Sequence, residues 1–351
     1  MNKLKGTLML ALAFFLTLSL FAPAAKAAEA SPLDLYFPAD IEEHWAYPEL
    51  DNFINADLLK GYVEADGTVK VKPNNPISRA EFVAILVRVL DLRADGEGKT
   101  FADVEAGKWY TEPVRIASEL GIVNGVSDTK FGTNQSITRG EIATLVVRAF
   151  ESSVVFAGDA KTFTDVPNYF AAPFIEKASR AGIVQGSTAT TFQPFANAKR
   201  AEAVVMIQRA LDLQKNDLPE DSALTQIILD VEAQELELIN KKAFDQLAAF
   251  YAKSHTGYYQ ALSAAYAEDL TALVGEGYSL QMERATEQKL TVLDKTERFA
   301  VVESTGGSYR VTTTDAAGTE PVTETQSNAG VYLLKKMADG GWKIYAYYEN
   351  E

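Results

Sequence analysis

Three times along the chain, a polar tetrad gives way to an apolar run at helical spacing. Ser78-Arg79-Ala80-Glu81 precedes Phe82, Ile85, Leu86 and Val89. Thr138-Arg139-Gly140-Glu141 precedes Ile142, Leu145 and Val146, and Lys199-Arg200-Ala201-Glu202 precedes Val204, Val205 and Ile207. The recurrence predicts an apolar helix opening at each tetrad. Ser78-x-x-Glu81 and Thr138-x-x-Glu141 are capping boxes, in which the hydroxyl accepts from the N3 amide and the Glu from the N-cap amide. The box accounts for the Ser/Thr and the Glu but not for the Arg. A cation in the first turn opposes the helix dipole, at a cost of roughly a few tenths of a kcal/mol. A guanidinium beside free helix N–H groups suits a carboxylate or phosphate, so the pattern points to an anion site at each arginine.

A second pattern runs ahead of each tetrad. Phe37-Pro38-Ala39-Asp40-Ile41 is echoed by Phe101-Ala102-Asp103-Val104 and Phe163-Thr164-Asp165-Val166. Trp45 is matched by Trp109, with Tyr169-Phe170 in the third position. Helices are expected over 47–59, 111–120 and 172–181, with left-handed stops at Gly61, Gly121/Gly125 and Gly182/Gly186. Val71-Lys72-Pro73, Phe131-Gly132-Thr133 and Phe192-Gln193-Pro194 follow, and then the tetrads. Three units of about 60 residues result, at 33–96, 97–157 and 158–215. None carries much core of its own, so stacked or circularly arranged copies must bury their faces together. The capped helices should meet at the centre and the short aromatic-bearing ones lie outside. The Asp of F-x-D-V reads either as an Asx-type cap or as a partner for the Arg.

The run F-x-D-V … W … G-I-V-x-G … F-x-P … I-T-R-x-E, repeated in tandem over about 34–212, resembles the S-layer homology (SLH) domain family. The resemblance implies a pseudo-threefold trimer of repeats that binds secondary cell-wall polysaccharide in Gram-positive bacteria. The ligand it implies is a pyruvylated N-acetylmannosamine, whose ketal carboxylate meets the Arg of T-R-x-E in grooves between repeats. Carried onto this chain, the glycan-binding candidates are Arg79, Arg139 and Arg200, with Asp40, Asp103 and Asp165 shaping the grooves. Trp45 and Trp109 are candidates to stack on a sugar face, with core packing as the alternative. Gly61, Gly125 and Gly186 would let the backbone approach it. The third copy departs from the pattern: Ala198 and Lys199 replace the β-branched residue and the cap, Asn197 offers a substitute cap, and the Trp is missing. Gly140 stands where the family has Ala, weakening that helix start by up to about 1 kcal/mol.

Residues 213–222 form a polar break with one Pro, and 216–222 reads as an interdomain linker. From Ala223 the chain changes character. Leu224, Ile227, Ile228, Val231, Leu238 and Ile239 keep helical spacing, and the helix is expected to run on through Phe244, Leu247 and Tyr251. Glu232, Glu235 and Glu237 with Lys241 and Lys242 read as its solvated face. A second helix is expected over 258–273, then strands at 289–293, 299–304, 308–314, 322–336 and 342–348. In the last strand Trp342, Ile344, Ala346 and Tyr348 should share one face. Helices followed by an antiparallel curved sheet predict an α+β domain over 223–351. This order is similar to the NTF2-like (SnoaL-like) family, whose members hold small-molecule pockets and include enzymes.

Composition narrows the partners. With 33 basic and 48 acidic side chains the net charge is −15, which argues against nucleic acid or an anionic membrane surface. There is no Cys and only two His, so no metal site, cofactor or catalytic triad is expected. Lys3 and Lys5, the apolar run 8–21 and Ala25-Lys26-Ala27 read as a secretory signal peptide over 1–27. His255 reads as a helix C-terminal dipole partner rather than a base. The expected product is a secreted cell-surface protein whose C-terminal domain serves for binding or display, with a small molecule or a protein as its partner. A wall-anchored enzyme and a structural S-layer component are the alternatives. A deep C-terminal cavity with a buried Asp, Glu or His would favour the enzyme, and a filled cone would favour binding or display.

Overall fold

A computed structural model describes residues 31–350 except Thr319. The signal segment lies outside them. The repeats supply helices α1 (Tyr47–Asn55), α2 (Arg79–Val89), α3 (Thr111–Glu119), α4 (Arg139–Phe150), α5 (Ala172–Arg180) and α6 (Arg200–Asp212), with a hairpin β1 (Tyr62–Val63) and β2 (Val69–Lys70) in the first. Helices α2, α4 and α6 are buried along nearly their whole length, whereas α1, α3 and α5 bury only three or four side chains each. Packing crosses repeat boundaries: α3 lies on α2, α5 on α4, and α1 on α6. Ile77 N donates to Ala198 O, Ala198 N to Ile137 O and Ile137 N to Ile77 O, closing a ring of one residue from each repeat.

The helix stops follow the pattern in two repeats. Gly121 and Gly182 take positive φ after α3 and α5, but α1 ends earlier, with Asp57 at φ 60. Gly61 is not left-handed, and a Cβ there would stand 2.6 Å from Val69 Cγ1. It is closeness to the hairpin that calls for glycine at this position. Both complete capping boxes form. In the third copy Lys199, not Asn197, is the N-cap, and Asn197 instead bridges to Thr138. Lys199 has no side-chain acceptor, so only the half made by Glu202 on the Lys199 amide survives.

The C-terminal half contains α7 (Asp221–Asn240), α8 (Leu247–Ser254) and α9 (Gly257–Gly275). The expected single helix breaks where Lys242 adopts φ 57, followed by a 3₁₀ turn over Phe244–Gln246. Seven antiparallel strands follow, β3 (Ser279–Thr286), β4 (Lys289–Lys295), β5 (Phe299–Thr305), β6 (Ser308–Thr314), β7 (Val322–Ser327), β8 (Gly330–Lys336) and β9 (Trp342–Glu349). They form two sheets, ordered β3-β6-β7 and β4-β5-β8-β9. β3 lacks a clear alternating signal and was not expected. The long strand expected over 322–336 divides at Asn328, and its halves join different sheets.

The last strand also departs from simple alternation. Leu333 pairs with Ala346 and Leu334 with Ile344, so Tyr345 is bulged. A bulge inserts one residue and flips the faces beyond it. Trp342, Ile344 and Tyr347 therefore face the C-terminal core, whereas Tyr345, Ala346 and Tyr348 join the core of the repeats. Tyr345 Oη donates to Asn52 (2.6 Å), and Tyr348 bonds Asp51 and Asn55 on α1. The polar break is pinned on both sides. Gln214 is buried and bonds Ser153, while Lys215 reaches Asp294.

Candidate glycan-binding site

Each tetrad arginine crosses into the next repeat. Arg79 Nε donates to Phe131 O (3.0 Å), Arg139 Nε to Phe192 O (2.8 Å) and Arg200 Nε to Val71 O (2.9 Å). The receiving loops are shaped by the F-x-D-V aspartates. Asp40 accepts from the Val71 and Lys72 amides, Asp103 from Phe131, Gly132 and Thr133, and Asp165 from Phe192 and Gln193. Burial pushes the Asp103 and Asp165 carboxyls up, but the backbone donors outweigh it and hold both below the usual carboxylate range. The aspartates thus bond the loops and make no ion pair with the arginines.

The arginines pair instead with the capping-box glutamates, a role that sequence reading missed because the box already explained those residues. Each carboxylate is divided. One oxygen accepts from the N-cap amide, at 2.9 Å for Glu81 and 2.8 Å for Glu141 and Glu202. The other meets an arginine of another repeat: Arg79–Glu141 at 2.7 Å, Arg139–Glu202 at 2.6 Å and Arg200–Glu81 at 3.0 Å. The arginine side chains are 5–7% exposed and the glutamates 22–26%. Each guanidinium also lies over a ring, Phe131, Phe192 or Tyr62, 4.8–5.2 Å from the centroid.

The three sites are unequal. Val71 lies ten positions after Gly61, whereas Phe131 and Phe192 lie six after Gly125 and Gly186. The longer first hairpin brings Tyr62 onto the third arginine. Arg200 Nη1 donates to the Tyr62 hydroxyl (3.0 Å) and Nη2 to Lys60 O (3.3 Å). Nη2 of Arg79 and of Arg139 has no protein partner among the described residues. Beside Arg79 lies a cavity of about 380 Å³, lined also by Gly125, Glu141, Thr144, Arg148 and Phe170.

That cavity brings together Arg79, Gly125 and Phe170. Trp45 and Trp109 do not line it, but they are 62% and 60% exposed and Phe170 61%, so core packing does not account for these aromatics. Gly125 and Gly186 hold φ +83 and +87, and a Cβ at either would stand 2.6 Å from a carbonyl of its own turn. The turn itself thus demands glycine there. Gly140 has a local reason too: a Cβ would stand 2.1 Å from the Tyr169 hydroxyl of the next repeat.

The model of the S-layer homology domain matches residues 39–83, 100–143 and 162–204. The surface-layer 125 kDa protein of Lysinibacillus sphaericus is 30% identical over 56% of this chain and 16% of its own length. The cellulosome-anchoring protein of Acetivibrio thermocellus is 32% identical over 45% of this chain and 36% of its own. An amylopullulanase of Thermoanaerobacterium thermosulfurigenes is 30% identical over 50% of this chain and 10% of its own. The chain thus spans between a tenth and about a third of these relatives. A ketosteroid isomerase-like protein from Erwinia carotovora atroseptica matches in structure over 35% of this chain and 91% of its own, at 18% identity and a TM-score of 0.24. The chain thus carries three tandem segments, at 39–83, 100–143 and 162–204, that match the S-layer homology domain.

Proposed function

We propose that the three repeats anchor the protein non-covalently to secondary cell-wall polysaccharide through its pyruvyl carboxylates, and display the C-terminal domain outward. S-layer homology repeats mark a protein of the cell wall or S-layer surface. The observation that carries the finer reading is the buried guanidinium of Arg79, with Nη2 unspent, on a cavity beside the exposed Phe170. An arginine fork is matched to carboxylate, and an aromatic ring suits a sugar face. The same reading takes the repeats as a pseudo-threefold ring, supported by the cyclic backbone bonds and the cyclic Arg–Glu pairs. Its domain limits are 33–96, 97–157, 158–215 and 223–351, joined by 216–222. The grooves of Arg79 and Arg139 take the ligand, while Tyr62 and Lys60 occupy the arginine of the third.

Sedimentation with purified sacculi tests this. Arg79→Ala with Arg139→Ala should lose binding, Arg200→Ala should retain most of it, and removing the pyruvate should abolish it. Thermal melting of each variant separates lost binding from lost fold. Undiminished sedimentation of a folded Arg79→Ala/Arg139→Ala/Arg200→Ala protein would refute the assignment.

The enzyme alternative has one observation in its favour, a C-terminal cavity lined by Glu232 and His255, both buried. His255 is not poised for proton transfer near neutrality. Glu232 is saturated by donors, and burial, with Lys343 nearby, pushes the His255 imidazole down to about 3. A binding role fits the cavity better.

A further inference from the structure

The C-terminal cavity encloses about 130 Å³ between α7, Tyr259 of α9 and the two sheets. Cavities of about 150 Å³ accept a benzene ring, so the space suits one six-membered ring. Tyr259, Tyr332 and Tyr347 contribute aromatic walls, with Tyr332 and Tyr347 rings 4.5 Å apart. Exposed Gln326, Ser327 and Glu349 stand on the solvent side of the lining.

The carboxylates at the deep end of this space, Glu232 and Glu235, are already committed. Glu232 accepts from Arg284 (3.0 Å), Gln288 (2.6 Å) and Tyr309 (3.1 Å) at one oxygen, and from Asn328 (2.8 Å) and Tyr332 (2.9 Å) at the other. Five donors exceed the roughly four lone-pair sites of a carboxylate, so nothing remains for a ligand. Glu235 accepts from the Tyr251 hydroxyl, and burial pushes its carboxyl upward, toward the neutral acid. No Lys or Arg lines the cavity. An anion finds no cation there, and a cation finds no open carboxylate at the deep end.

Two lining groups are left over. His255 is 2% exposed, with Nδ1 3.0 Å from Ser263 Oγ and its ring 4.5 Å from that of Tyr259, and its Nε2 has no partner. The Tyr347 hydroxyl is likewise buried and unpartnered. Each orphaned polar group has lost its water without gaining a partner, and a ligand hydrogen bond relieves that cost. We infer that this cavity binds a small uncharged ring compound carrying a hydrogen-bonding oxygen, its ring among the tyrosines and its oxygen at His255 Nε2 and Tyr347 Oη. The site belongs to the C-terminal half and stands whether or not the repeats bind wall polymer.

The test uses the full chain, with phenol as the uncharged probe and benzoate and benzylamine as its charged counterparts. With only two histidines in the chain, His255 is a resolved NMR reporter and His44, in the repeats, is the internal control. Phenol should shift the His255 ring signals saturably at millimolar concentration and leave those of His44 in place. Both charged probes should bind at least about tenfold more weakly. Tyr347→Phe keeps the ring and should weaken phenol about tenfold, the value of one hydrogen bond. The inference fails if phenol gives no saturable shift, if either charged probe matches it, or if folded Tyr347→Phe binds phenol unchanged. Should that variant not fold, the comparison of the three probes on the native chain decides.

Discussion

The cavity at Arg79 and the C-terminal cavity each lie beside an arginine–glutamate pair with one buried member, yet they leave opposite chemistry on offer. At Arg79 the arginine is the buried member, at 5%, and its Glu141 partner is 22% exposed and half engaged in a helix cap. One guanidinium nitrogen remains unspent, so a cation is available. At Glu232 the carboxylate is buried, at 9%, and surrounded by donors that include Arg284. Its charge is consumed, and what remains for a ligand is a neutral imidazole and a phenol. Two pairs of the same residue types therefore make different sites. What a site can bind is set by the hydrogen-bonding capacity left after the protein has satisfied itself.

That contrast can be broken most severely at Glu232. Glu232→Ala removes the acceptor shared by Arg284 and four other donors, of which only Asn328 and Tyr332 keep a second one, and breaking a buried pair from one side costs about 3–5 kcal/mol. Urea unfolding followed by circular dichroism should register that loss. A change below about 1 kcal/mol would mean that the network relaxes or hydrates, and that Glu232 is not its organiser.

Acid sharpens the contrast next. The folded imidazole of His255 is pushed to about 3 by burial, and then by Lys343, against about 6.5 when unfolded. A base depressed in the fold contributes stability that is complete above the unfolded value and is lost as pH falls toward the folded one. About 2 kcal/mol should disappear between pH 7 and 5, offset in part by Glu235, whose raised carboxyl acts with the opposite sign. Asp103 and Asp165 are depressed acids, so their contribution is present above about 3.9 and is lost only at lower pH. Urea midpoints across pH, with the His255 NMR titration alongside, check the order. A His255 signal titrating near pH 6 would refute it.

The smallest effect concerns the third tetrad. Lys199 already has N-cap geometry but no acceptor. Lys199→Ser should complete the box and raise stability by about 0.5–1 kcal/mol, measured as an upward shift in melting temperature. An unchanged or lower value would mean that the lysine stem contributes more than the cap.

Much of the N-terminal half was legible because its signals are local. A capping box and helical spacing act within one or two turns, so the starts of α2, α4 and α6 follow from a few adjacent residues. The candidate arginines were legible for the same reason, as residues that their own helix does not want. Their glutamate partners were not, because Glu81, Glu141 and Glu202 already had a sufficient local explanation. The longer hairpin carrying Tyr62 was visible in the spacing, but only packing shows that this hairpin reaches Arg200.

The C-terminal half was harder to read. Glu232 and Glu235 looked like a solvated face, because helix periodicity cannot tell water from a ring of polar side chains supplied by strands 50 to 100 residues away. His255 looked like a dipole partner, a role that its burial in neutral form excludes. The bulge at Tyr345 turned the end of β9 toward α1, which no alternation rule within that strand could foresee.

By itself, the sequence determined the three repeats, their capped helices, their misplaced arginines and the change from helices to antiparallel strands. Each is fixed by neighbours a few bonds apart. Only the tertiary structure decided which carboxylates neutralise which cations, which glycines are demanded by contact, and where unsatisfied polar atoms remain. These depend on desolvation and on partners distant in the chain, quantities that exist only once the elements have packed.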